Sequence, residues 1–328
     1  MSTRPTARSG TGLPFGAVMA TGAAAQLCDL VGVAAWAPLF VVLTIVIAAA
    51  VTVTGVLGLR RPGALRVGFG HFTIPVGLGV IAVTLAGADA PAPAVLRTGC
   101  AVAAWASTAV LLVAVVGHLP WSRPGLAAVN GVWFIAPAAL LADAAAAVVL
   151  VPAAAPAAAD AAVAVAVWCV WCGVAGYAVL LVVAAVRVVR HRFAGAPGVA
   201  WWIVTGCGGL AADALGHVAV VDPGARSAFT VAAVACWTVA TIVFVPIGVG
   251  SVLSLWRRRR VGGAWPPAFS SGVYALGTAQ VALLLPAPGM QPVAVIVAVE
   301  TLVVWVAIAA VHVSGGVRTR QTVRSHRG

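Results

Sequence analysis

Apolar positions in this chain come in long unbroken runs. They show neither the alternation of a half-buried strand nor the single stripe of a surface helix. Ten runs approach the length of about 20 residues that a helix needs to cross the hydrocarbon layer. They fall at roughly 13–30, 37–59, 68–87, 92–117, 131–151, 159–186, 198–220, 227–255, 266–285 and 291–314. The breaks between them are short. The pattern therefore predicts an all-α integral membrane protein of ten transmembrane helices in five tandem hairpins. Residues 1–12 form an N-terminal tail, 13–314 the membrane domain and 315–328 an Arg-rich C-terminal tail.

The odd and even runs differ. Odd runs carry Gly and Pro inside or at their starts, as at Pro75 with Gly77 and Gly79, at Pro137, and at Gly206, Gly208 and Gly209. Even runs are more uniformly Val, Leu and Ala. Small residues let helices approach closely, and Pro frees a carbonyl that must meet protein or water. This suggests inner odd helices and outer even ones. Gly and Pro are also common in membrane helices generally, so the pattern alone leaves both readings open.

Charge adds direction. The chain has nineteen basic residues, all Arg, and seven acids. With the runs taken as spans, seventeen Arg fall on one side and only Arg97 and Arg226 on the other. No acid lies in the Arg-rich connections. Positive charge collects on the cytoplasmic side of inner-membrane proteins, so both termini are expected in the cytoplasm of a bacterial-type plasma membrane. The net charge of +12 then reflects topology and calls for no nucleic acid. A hydrophobic fraction of 62% excludes an ordinary soluble domain. Cys169 and Cys172 make a lone C-x-x-C, better read as small packing residues than as a metal or redox pair. There is no phosphate-binding Gly-rich loop and no convincing metal spacing, so neither an enzyme, a cofactor nor a metal is expected.

Four segments resemble motifs of the tellurite-resistance/dicarboxylate transporter family. That family includes TehA-like bacterial proteins, fungal malate permeases and sulfite pumps, and plant slow anion channels. The first run reads Leu13-Pro-Phe-Gly-Ala-Val-Met-Ala-Thr-Gly22, and the third His71-Phe-Thr-Ile-Pro-Val-Gly-Leu78. The fifth begins Asn130-Gly-Val-Trp-Phe-Ile-Ala-Pro137, and the ninth reads Phe269-Ser-Ser-Gly-Val-Tyr-Ala-Leu-Gly-Thr278. The resemblance implies odd helices around a central pore, even helices outside, and a homotrimer in the lipid with one pore per protomer. It also implies that Phe269 gates the pore. Ser270 departs from the pattern, standing where the family usually has Pro. The function implied is passage of small anions: chloride, nitrate, sulfite, tellurite-type oxyanions or C4-dicarboxylates. The alternative is a proton-coupled carrier for C4-dicarboxylates or sulfite.

The residues give this some physical content. Odd helices running outward would direct their positive N-terminal ends at the cytoplasmic mouth. They hold no Arg in their interiors, which argues against a tight bidentate clamp and for weak, repeated attraction. Pore-lining candidates are Phe15, Thr21, Phe72, Thr73, Pro75, Phe134, Pro137 and Ser270. Asp213 and His217 stand four apart and share a helix face, while Glu300 lies deep in the tenth run. All three are candidates for proton or ion coupling, because ionisable groups inside a membrane are costly. Glu300 is expected to face a neighbouring helix. Asp143 would repel anions from a pore and is expected to point away or pair.

Overall fold

The computed structural model describes residues 13–59, 69–87, 94–122, 126, 129–191, 201–258, 265–285, 287 and 289–325. Ten α-helices follow in order: α1 Leu13–Leu30, α2 Ala37–Leu59, α3 Thr73–Gly87, α4 Ala94–Ser122, α5 Ile135–Val148, α6 Pro156–His191, α7 Trp202–Val221, α8 Arg226–Arg258, α9 Trp265–Leu284 and α10 Met290–Ser325. No strand occurs among the described residues. Each apolar run of the sequence corresponds to one helix. Short 3-10 turns lead into α2, α3, α5, α6 and α8. The one before α5 is capped by Asn130, whose side chain accepts from the Val132 N–H at 2.9 Å. Arg4, Arg8, Arg60, Arg61, Arg66, Arg123, Arg192, Arg259, Arg260 and Arg327 lie outside the described residues.

The packing separates two sets. Each odd helix touches the next odd helix, and α9 returns to α1, so α1, α3, α5, α7 and α9 form a closed circuit. Each even helix packs on the odd helix before it and on the odd helix after it, with α10 closing onto α1. Burial follows the same division. In the apolar windows, 83% of α5 and 89% of α7 is buried, against 6–28% in the five even helices. The exposed sides of the even helices carry large apolar residues, such as Val46, Val110, Val182, Ile242 and Val303. Water would penalise such a surface, whereas hydrocarbon does not.

Among the described residues, seven helical segments are long and apolar enough to cross a membrane, and Thr73–Gly87 is apolar but shorter. The helices outside those seven are α1, α3 and α9. They belong to the circuit of odd helices, where other helices surround most of the side chains. Such a helix tolerates Gly, Ser and Thr that a lipid-facing one would not.

Close approach within the circuit depends on glycine where α7 meets α9. A Cβ on Gly209 would stand 2.6 Å from the Tyr274 Cα, and one on Gly277 would collide with the Gly209 carbonyl oxygen. Backbone meets backbone there, so neither side has a flexible group that could yield.

Candidate functional site

All five odd helices contribute to one narrow space. Ala23 of α1, Gly79 of α3, Ala142 of α5, Leu210 of α7 and Val273 of α9 line a cavity of about 20 Å³. That is room for about one water. Gln26, Val83, Asp213 and Leu276 line this cavity and also a wider one of about 630 Å³, so the two adjoin. The wide cavity lies at the C-terminal ends of the odd helices, where Asp29, Thr84, Arg97, His217 and Gln280 also line it. In sequence terms this is the end opposite the Arg-rich connections.

Polar chemistry concentrates at the junction. Asp213 is 5% exposed and lines both cavities. Its Oδ1 lies 3.6 Å from the His217 Nε2 one turn along α7. The same nitrogen lies 3.3 Å from the Gln280 amide nitrogen of α9. One ring nitrogen therefore stands between a carboxylate, which only accepts, and an amide N–H, which donates. With a proton, that nitrogen donates toward Asp213; without one, it accepts from Gln280. Across the cavity the Gln26 amide donates to the Thr84 hydroxyl at 3.1 Å, and that hydroxyl donates to the Gly22 carbonyl at 3.2 Å. Arg97 reaches the cavity from α4, and its buried Nε has no acceptor among the described residues.

Three buried aromatic side chains lie toward the opposite end. Phe269 is 3% exposed in the second turn of α9, four residues before Val273. At 1.5 Å per residue its Cα lies about 6 Å further from the wide cavity. Phe72 and Phe134 are fully buried at the N-terminal ends of α3 and α5, in the same apolar cluster as Phe269. The Phe134 ring stands edge-on to Tyr177 of α6 at 5.8 Å.

The remaining candidates have definite places. Pro137 packs toward Gly173 and Gly176 of α6. Thr21 donates back to the Ala17 carbonyl at 2.7 Å and accepts from the Trp305 indole of α10 at 3.1 Å. Its hydroxyl is thus committed between α1 and α10. Thr73 and Pro75 are buried in the first turn of α3. Ser270 is buried against Gly206 of α7. Phe15 lies in the first turn of α1, and its side chain is outside what is described. Asp143 is buried on α5, and its carbonyl accepts from the Trp105 indole of α4 at 3.1 Å. The alanine before it lines the narrow cavity and Asp143 does not.

Glu300 corrects an expectation. It does not turn toward a neighbouring helix but lies exposed on α10, on a side shared with Ile296, Val299 and Val303. It lines neither cavity. The opposite omission concerns Gln26 and Gln280, which sequence reasoning passed over. Both are amides in the inner helices, where an unpaired polar group is expensive, and that cost was the available signal. Among the described residues no group of His, Cys, Asp or Glu is arranged to hold a metal ion.

Two comparisons with known proteins bear on this geometry. The family model described as SLAC1, voltage-dependent anion channel, matches residues 14–313. A comparison with curated proteins found no match.

Proposed function

The chain belongs to the SLAC1, voltage-dependent anion channel family, and from that premise we propose that it passes small anions through the space enclosed by its five odd helices. The observation that carries this reading is the closed circuit with one cavity to which every odd helix contributes. In this reading the odd helices are the inner wall and the even helices the lipid-facing ring. Phe269 is the gate, set one turn beyond the narrow cavity. The Arg-rich end is cytoplasmic, with both termini, and the wide cavity opens to the opposite side of a bacterial-type plasma membrane. Three copies assemble, each with its own path. The permeant species are chloride, nitrate, sulfite, tellurite-type oxyanions or C4-dicarboxylates.

The conduction physics fits weak binding. The cavity walls are mainly Gly, Ala, Val and Leu, with the amides of Gln26 and Gln280, the carboxyls of Asp29 and Asp213, Arg97 and His217 at the wide end. Small residues leave room for an ion, and the amide N–H groups of Gln26 and Gln280 offer neutral donors. No cation lines the narrow part, so nothing there holds an anion tightly enough to stop it leaving.

A second reading, a proton-coupled carrier, draws on Asp213 standing inside the cavity. The deciding experiment is the reversal potential of the purified protein in bilayers under asymmetric chloride, nitrate and malate, with and without a pH gradient. We expect it to follow the anion gradient alone. Silent membranes together with malate or sulfite uptake driven by a pH gradient would establish the carrier instead.

A further inference from the structure

A carboxyl group in an anion path is an obstacle that needs an explanation. Asp213 lies where the narrow and wide cavities meet, so an anion travelling between them passes it. Among the described residues, the other charged and titratable groups that face the wide cavity are Asp29 from α1, Arg97 from α4 and His217 from α7. The faces contributed by α3 and α9 bring Thr84 and Gln280 and no titratable group, and the end of α5 brings only apolar residues. With a neutral imidazole and ionised acids, two carboxylates outnumber one guanidinium. A cavity so charged repels the ions that the path is read to carry. One proton on the Asp213–His217 pair removes that excess, and a second makes Arg97 and His217 dominant.

The geometry points to Asp213 as the residue that selects for anions according to its protonation, with His217 as the partner that shares its proton and Gln280 as the amide that competes for the imidazole. This inference rests on the reading of the inner circuit as the anion path. It differs from coupled transport, because the proton sets the charge of the passage and need not travel with the ion. The contacts support a two-position arrangement. The His217 Nε2 cannot satisfy Asp213 Oδ1 at 3.6 Å and the Gln280 amide at 3.3 Å in the same protonation state. In the neutral imidazole the tautomer with a bare Nε2 accepts the Gln280 N–H and leaves Asp213 as a bare carboxylate facing the passage, an arrangement that the cation cannot adopt. Protonated, it turns its N–H to Asp213, neutralises it and frees the Gln280 amide to donate to a passing anion. The ligand class is a small monovalent inorganic anion, met by Arg97 at the wide end and then by neutral donors.

The test uses the full-length protein in liposomes under a nitrate gradient. The pH is stepped from about 8 to about 5 on the side that carries the wide cavity. Wild type should conduct better at low pH, on the order of tenfold for the loss of one luminal charge. Asp213→Asn, nearly identical in shape, should conduct well at both values and lose the response. His217→Gln keeps a polar side chain on that face but cannot titrate, and should flatten or displace the profile even if Asp213→Asn proves unstable. Anion current with the wild-type pH response in both variants would overturn the inference while leaving the anion path intact. Absence of anion current from wild type at every pH would instead remove the path on which it rests.

Discussion

Phe269 and Glu300 mark the two extremes of what a single side chain can do here. Phe269 is buried about one turn beyond the narrow cavity and packs in the same apolar cluster as Phe72 and Phe134, the position proposed for a gate. Trimming its ring opens space along the path, so Phe269→Ala should raise nitrate or chloride conductance several-fold. An unchanged current from a well-expressed variant would remove Phe269 as the gate. Glu300 stands on the exposed side of α10 and lines neither cavity. Glu300→Gln should therefore leave both the current and its pH profile at the wild-type level in the liposome assay. A weakened, pH-insensitive flux in that variant would restore Glu300 as a coupling group.

At the scale of the element, the helices were legible in the sequence because lipid allows so few solutions: long apolar runs, ended by Arg on one side. The limits of the runs were less visible. The α6 helix continues to His191 and α10 to Ser325, beyond the expected ends near 186 and 314. A helix needs no apolar residues once it has left the hydrocarbon, so hydropathy marks the membrane and not the helix. The Gly-rich character of the odd runs pointed to close approach, and Gly209 against Tyr274 and Gly277 against Gly209 are such approaches. What periodicity could not supply is which partner a face meets. Gln280 and His217 are 63 residues apart and join only because α9 lies on α7. For the same reason the outward turn of Glu300 was not readable. The α7–α9 contact makes its own prediction. Gly209→Ala should cost about 1–3 kcal/mol through overpacking, read as a lower Tm in detergent. Gly99→Ala on α4, where a new Cβ meets nothing within 4 Å, should leave Tm unchanged. Equal behaviour of the two variants would mean that α7 and α9 are not held as tightly as their backbone spacing requires.

The whole molecule has a closed inner circuit within one chain, and that constrains how copies cooperate. Every helix that lines the narrow cavity comes from the same protomer, and α9 returns to α1 without help from another copy. An assembly of three, proposed from the family resemblance, would then seat its contacts on the even helices, whose outer sides are apolar and exposed. Lipid and a neighbouring copy satisfy such sides equally well, so assembly places no demand on the path itself. Conduction should be additive as a result. When wild-type and Phe269→Ala subunits are co-expressed and assemblies of defined ratio are purified by two tags, the current should rise linearly with the number of variant subunits. Single-channel records should show independent levels for each subunit. A curve that stays low until every subunit carries Ala would mean that the path is shared between copies, and the closed five-helix circuit would then be a scaffold and not the conduit.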